Sequence, residues 1–288
     1  MSTIRKAMHP GKKKLAYDEV PIDSWGTLIE TLGSLSASWA FRGHSDASWK
    51  LESTLARRFN SNGIHHRAWP EQEKRILRIF KRKAHLFLDH IPDDQDSFRW
   101  LGMMQHHGAP SRLLDFTWSF YVAAFFALEA ATGDAAIWAV NLDALYEPLK
   151  LTGHRKRVSH DDLTPKIKGN YEKYFLDNKF SFVVYGEPTI MNQRLIAQSG
   201  TFIIPSTLSE PVEDILSHYS TPKALVKYIL PTSKLRATAM RKLYSMNITY
   251  YTLFPGLDGL ARSMGFESEY SWTFDLRTMK RRPSSGVY

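Results

Sequence analysis

Hydrophobic and polar positions along the chain alternate between helical and strand periods without regular succession. Asp23 or Ser24 can cap a short helix through Leu28 and Leu32, and Ser36–Arg42 reads as a strand ending on Gly43. Ser53–Phe59 reads as a short helical turn. Pro70 opens a long helix with Glu71 and Glu73 in its first turn, where the helix dipole favours acids. Its apolar positions Ile76, Ile79, Phe80, Ala84, Phe87 and Leu88 form one stripe, with Lys81, Arg82 and Lys83 toward solvent. Ser97–His107 predicts a helix with Trp100, Leu101 and Met104 inward, closed by Gly108 and Pro110.

Farther on, Arg112–Thr117 predicts a strand, and Ser119–Ala131 predicts a helix apolar nearly all round, hence central to the core. Ala135–Leu142 predicts a buried strand, Ala224–Leu230 a strand, and Arg194–Pro205 one or two strands interrupted at Gly200. Ser233–Met246 predicts a helix, Ile248–Phe254 a strand, and Leu257–Met264 a helical segment. Interspersed helices and strands of this kind argue for an α+β architecture and not a doubly wound parallel sheet. Residues 1–20 read as a flexible basic tail and residues 21–288 as one domain, with 143–190 a candidate insertion because its periodicity is poor.

Composition narrows the classes. The chain has 288 residues, 43% of them hydrophobic and 23% charged, which excludes a wholly disordered protein, a collagen and a coiled coil. The longest apolar stretch, Phe116–Leu128, is too short for a membrane span. There is no cysteine, so disulfides, thiolate metal sites and cysteine nucleophiles are excluded. No secretory pattern follows the N-terminal basic residues, and a cytoplasmic protein is expected. The formal charge of +9 favours polyanionic partners such as nucleic acid.

P-loop, G-x-G-x-x-G, G-x-S-x-G and H-E-x-x-H motifs are absent, which argues against an ordinary nucleoside triphosphatase, Rossmann dehydrogenase, α/β-hydrolase or zincin. Four polar segments remain. In Phe41-Arg42-Gly43-His44, an arginine at a strand end offers its planar fork to phosphate or carboxylate, or pairs with a structural carboxylate. In the segment from Gln105 to Thr117, Asp115 and Arg112 lie in an apolar setting where carboxylate and arginine usually pair. His106 and His107 point about 100° apart on a helix and do not readily share a metal, so no metal site is expected. Read as a strand, Asn192–Phe202 puts Arg194, Gln198 and Gly200 on one face, suited to a ligand or simply solvated. Leu253–Leu260 reads as a strand, a Pro-Gly turn and a helix start near Asp258.

In this order and spacing, over roughly residues 22–265, the four segments resemble the FRG domain family, named for the triplet at Phe41–Gly43. The resemblance implies an ADP-ribosyltransferase-like fold, a split mixed β-sheet core flanked by helices that grips NAD in a cleft. Arg42 would then hold the NAD diphosphate or ribose, with Gly43, His44, His107, Arg112 and Gly200 beside the nucleotide. Thr117 and Asp115 would order the cleft, and Gln198 would take the place of the family glutamate on the nicotinamide ribose. Glutamine lacks the charge to stabilise an oxocarbenium-like centre. Either Asp115, Glu187 or Asp258 supplies it, or the target brings its own nucleophile, or transfer is lost.

The resemblance implies a toxin or antiphage effector, with a nucleic acid or protein acceptor and an antitoxin or inhibitory protein as partner. An NAD glycohydrolase is the close variant. Two other readings stay open. One is a non-enzymatic nucleic-acid or nucleotide-binding module, favoured by the basic helix at Lys81–Lys83. The other is a metal-dependent nuclease using His44, Asp46, His107 and Asp115.

Overall fold

The computed structural model describes residues 17–221, 224–271 and 273–281. Most of the tail expected at residues 1–20 lies outside them. Its last residues do not: β1 (Asp18–Pro21) is an edge strand of the sheet. Next come α1 (Trp25–Gly33), capped by the Ser24 side chain on the Thr27 amide, and β2 (Trp39–His44). Then come α2 (Thr54–Ser61), α3 (Trp69–Ala84), α4 (Ser97–His106), β3 (Leu114–Thr117), α5 (Phe120–Leu128) and β4 (Ala135–Asn141). Two short helices, α6 (His160–Leu163) and α7 (Asn170–Tyr174), precede β5 (Val183–Gly186). The chain continues through α8 (Gln193–Ala197), β6 (Gly200–Pro205), α9 (Val212–Leu216) and β7 (Leu225–Leu230). It ends in α10 (Thr232–Ser245), α11 (Tyr250–Leu253) and α12 (Leu257–Glu269).

The architecture is α+β. Seven strands form one mixed sheet in the order β1-β7-β4-β2-β3-β6-β5, with β1 parallel to β7 and the other pairs antiparallel. The expected split becomes a near-division of this one sheet. β2 and β3 register at Phe41↔Thr117 alone, and beyond that pair they part.

Alternation along β4 explains its unbroken apolar run. Ala135, Ile137 and Ala139 face a core built with α1, α5 and α10, whereas Trp138 and Val140 face a second core that includes Ala40, Leu114 and Phe116. A third core gathers α3, α4 and the 149–182 segment around Trp100, Phe98 and Phe175. The 143–190 stretch thus supplies an edge strand, β5, and part of a core.

Local expectations change in three segments. The buried face of α3 is Trp69, Glu73, Leu77 and Ala84, because Glu73 turns inward to an arginine. The helix ends at Ala84, which leaves Phe87 exposed. Residues 193–197 are helical, not extended, because the Asn192 side chain accepts the Leu195 amide and caps them. Residues 250–253 are helical too, capped by a reciprocal box between Thr249 and Thr252.

Gly43 positions β2 against α5. A Cβ there would lie 2.1 Å from the Ala123 carbonyl oxygen and 2.5 Å from the Ala127 nitrogen, both backbone atoms that cannot swing away. Gly43→Ala is expected to lower stability by about 1–3 kcal/mol or to prevent folding, as overpacking against rigid neighbours does. Chemical denaturation measures this, and a variant as stable as the parent would disprove the contact.

Candidate functional site

The parting of β2 from β3 opens a cleft of about 730 Å³, within the usual size of small-molecule sites of about 300–1,000 Å³. Arg42 stands on its floor. β2 alternation turns Phe41 and Gly43 toward α5 and Arg42 and His44 the other way, into the opening. The Arg42 Nη1 donates to the Asp115 backbone oxygen at 2.6 Å, and Nε donates to the His44 Nε2 at 3.0 Å. A side chain therefore bridges the strands where the backbone ladder stops. Among the described residues Arg42 has no carboxylate within ion-pair distance, and its Nη2 makes no hydrogen bond. Burial lowers its pKa, Asp115 opposes that shift, and Arg57 adds to it.

His44 accepts from Arg42 and so is held neutral with Nδ1 protonated. Burial first, then the Arg42 charge, lowers its pKa to about 3. Trp49, 53% exposed, meets the His44 ring edge-to-face at 5.9 Å and lies on the cleft wall. Arg57 and Arg194 also line the cleft. Arg194 lies 4.5 Å from the Phe254 ring centre and has no ion pair among the described residues; burial lowers its pKa. With Lys50, four cations face two carboxylates, Glu52 and Asp115, so the cleft favours anions.

Asp115 is oriented by a relay. Its Oδ2 accepts from Gln105 Nε2 at 2.8 Å, and Gln105 Oε1 accepts from Ser111 at 2.9 Å. Thr117 donates to the Gln198 backbone oxygen at 2.7 Å and accepts the Ser119 amide at 3.0 Å. Gln198 ends α8 and does not sit on a strand face; its Nε2 donates to the Leu253 oxygen at 3.0 Å. Thr117 and Gln198 thus clasp β3, the α8–β6 turn and α11 at the cleft edge.

Arg42, Gly43, His44, Asp115, Thr117 and Gln198 all line the cleft. Three residues do not join them. Arg112 is fully buried with its fork on Glu73, Nε to Oε1 at 2.8 Å and Nη2 to Oε2. Its Nη1 donates to the Pro205 and Ser206 carbonyls, so no donor face remains for a nucleotide. His107 is exposed outside the cleft because it ends α4. Gly200 serves packing, since a Cβ there would lie 2.5 Å from Leu195 Cδ1.

Of the carboxylates proposed as substitutes, Asp115 lines the cleft, and Glu187 and Asp258 do not. The nuclease set of His44, Asp46, His107 and Asp115 does not converge. Among the described residues no group of three or more His, Cys, Asp or Glu could hold a metal. Trp49 and Arg57 were missed because each stands in a polar stretch that pattern reading assigns to surface.

The FRG domain family model matches residues 37–135. The chain carries an FRG domain. The match runs from the approach to β2 through α5 to the start of β4, so it holds Arg42, Gly43, His44 and Asp115 but not Arg194 or Gln198. The C6 finger transcription factor imqK of Aspergillus flavus is 32% identical over 85 residues, 29% of this chain and 15% of that protein. The chain therefore spans about 15% of the length of this curated relative. No solved structure matches. No helix among the described residues is long and apolar enough to cross a membrane.

The cleft carries a pH signature. The His44 pKa is near 3 when folded and about 6.5 when unfolded, so the unfolded chain binds the extra proton between these values. Stability is then fully present above about pH 6.5 and falls as the pH drops toward 3. His106 and His160 are lowered in the same direction, burial being the main cause. His44→Gln, which keeps an acceptor for Arg42, is expected to shrink the loss between pH 7 and pH 5 by up to about 2 kcal/mol. Urea denaturation at the two pH values measures this, and an unchanged difference would refute a neutral His44.

Proposed function

We propose that the FRG-domain cleft binds NAD and that the protein transfers ADP-ribose from it. Arg42 carries this reading. A guanidinium on a cleft floor, without a carboxylate partner, is poised for a diphosphate, and Arg57 and Arg194 stand on the walls to share its charge. The exposed Trp49 ring at the wall suits the flat rings of a nucleotide.

In transfer, the bond between the ribose C1′ and the nicotinamide nitrogen breaks. Nicotinamide leaves with the electron pair and so becomes neutral. The Asp115 carboxylate, fixed by Gln105, balances the developing positive charge at C1′. The acceptor's nucleophile bonds to C1′ and gives its proton to Asp115. Gln198 keeps the cleft edge in place through Leu253 and need not carry charge.

Calorimetric titration with NAD, and labelled NAD incubated with cellular RNA, DNA and protein, test the reading. Arg42→Ala is expected to weaken NAD binding at least tenfold. Asp115→Asn is expected to keep binding and slow turnover by about 10²–10⁴-fold. Label on a macromolecule supports transfer, and free ADP-ribose alone identifies a glycohydrolase. A folded protein that does not bind NAD refutes the proposal.

A further inference from the structure

A second region of the molecule is built for anions and shares no residue with the cleft. Helix α3 carries Lys74, Arg75, Arg78, Lys81, Arg82 and Lys83. At about 100° per residue, the first five fall within an arc of about 120°, turned away from the buried Trp69, Glu73, Leu77 and Ala84. Lys74 to Arg82 spans about 12 Å of helix.

Beside this face runs a groove of about 360 Å³, walled by Lys74, Arg78, Lys81 and Arg82 on one side and by Ser97 and Glu172 on the other. The opposing carboxylates are Glu71, Asp94, Glu172 and Asp177. Asp177 pairs with Lys74 and Asp94 with Lys81, while Glu172 accepts the Ser97 hydroxyl. Arg75, Arg78, Arg82 and Lys83 keep no ion pair among the described residues. Just past the helix end stands Phe87, 83% exposed.

We propose that α3 and its groove dock a nucleic-acid strand, with phosphates on Arg75, Arg78 and Arg82 and a base stacked on Phe87. Unpaired cations on one face supply the sequence-independent phosphate term, and an exposed ring three residues past the end of the helix supplies stacking. A lipid surface fits less well. A bilayer reaches only the outer face and not the groove, and Asp89, Asp93 and Asp94 are exposed in the loop that would have to insert.

The test is fluorescence anisotropy of a labelled single-stranded oligonucleotide of about 20 nucleotides, titrated with the full chain at several salt concentrations. The parent protein binds, and log affinity falls linearly with log salt. Arg78→Ala/Arg82→Ala weakens binding at least tenfold and lowers the salt slope by about 1.4, two single-strand phosphates' worth. Phe87→Ala weakens binding about tenfold without moving the slope. NAD titration and thermal melting of the same variants stay unchanged, which separates this site from the cleft and from misfolding. Absence of oligonucleotide binding at low salt overturns the proposal. So does binding undiminished in the double variant, loss in Arg42→Ala instead, or capture by phosphatidylserine vesicles that the oligonucleotide does not compete away.

Discussion

Everything in the cleft depends on how β2 is held where it leaves β3. The two strands share one registered pair, Phe41↔Thr117, and the gap beyond it is crossed by the Arg42 guanidinium on the Asp115 carbonyl. α5 presses the strand from the opposite face, and it comes so close at residue 43 that no side chain fits. The three residues of the FRG triplet therefore do three different things. Phe41 joins the ladder and the core, Arg42 bridges and charges the opening, and Gly43 admits the helix. Because strand alternation fixes their directions, the packing at Gly43 also aims Arg42.

Two arginines show how environment divides the same chemistry. Arg112 has both carboxylate oxygens of Glu73 and two carbonyls around it, and a buried pair of this kind is costly to break, by about 3–5 kcal/mol, but offers nothing to a ligand. Arg42 has a carbonyl, a neutral histidine and an open side. The neutral His44 matters here, since a protonated ring could not accept from Nε and would repel the charge beside it. The contrast between the two arginines lies entirely in what each one faces.

Much of the architecture was legible along the chain. The periods of α1, α4, α5 and α10, the caps at Ser24 and Gly108, and the apolar run of β4 follow from local chemistry that neighbouring residues impose on one another. The segments around residues 194–198 and 250–254 misled, because side-chain caps at Asn192 and Thr249 outweighed strand-like composition. The inward turn of Glu73 was invisible for another reason: its partner lies 39 residues away.

By itself the sequence determined which residues could bear chemistry: Arg42, Asp115, Thr117 and Gln198 stand as polar residues in apolar surroundings, and residue type limits what each can donate or accept. Only the tertiary structure decided which of them share a cleft. Thr117 and Gln198 became its clasp, Arg112 was claimed by Glu73, and Arg57, Arg194 and Trp49 joined the walls. The reason is that a site is made by contacts between residues far apart in the chain. Local patterning sets the period of each element, while the packing between elements sets what each side chain meets.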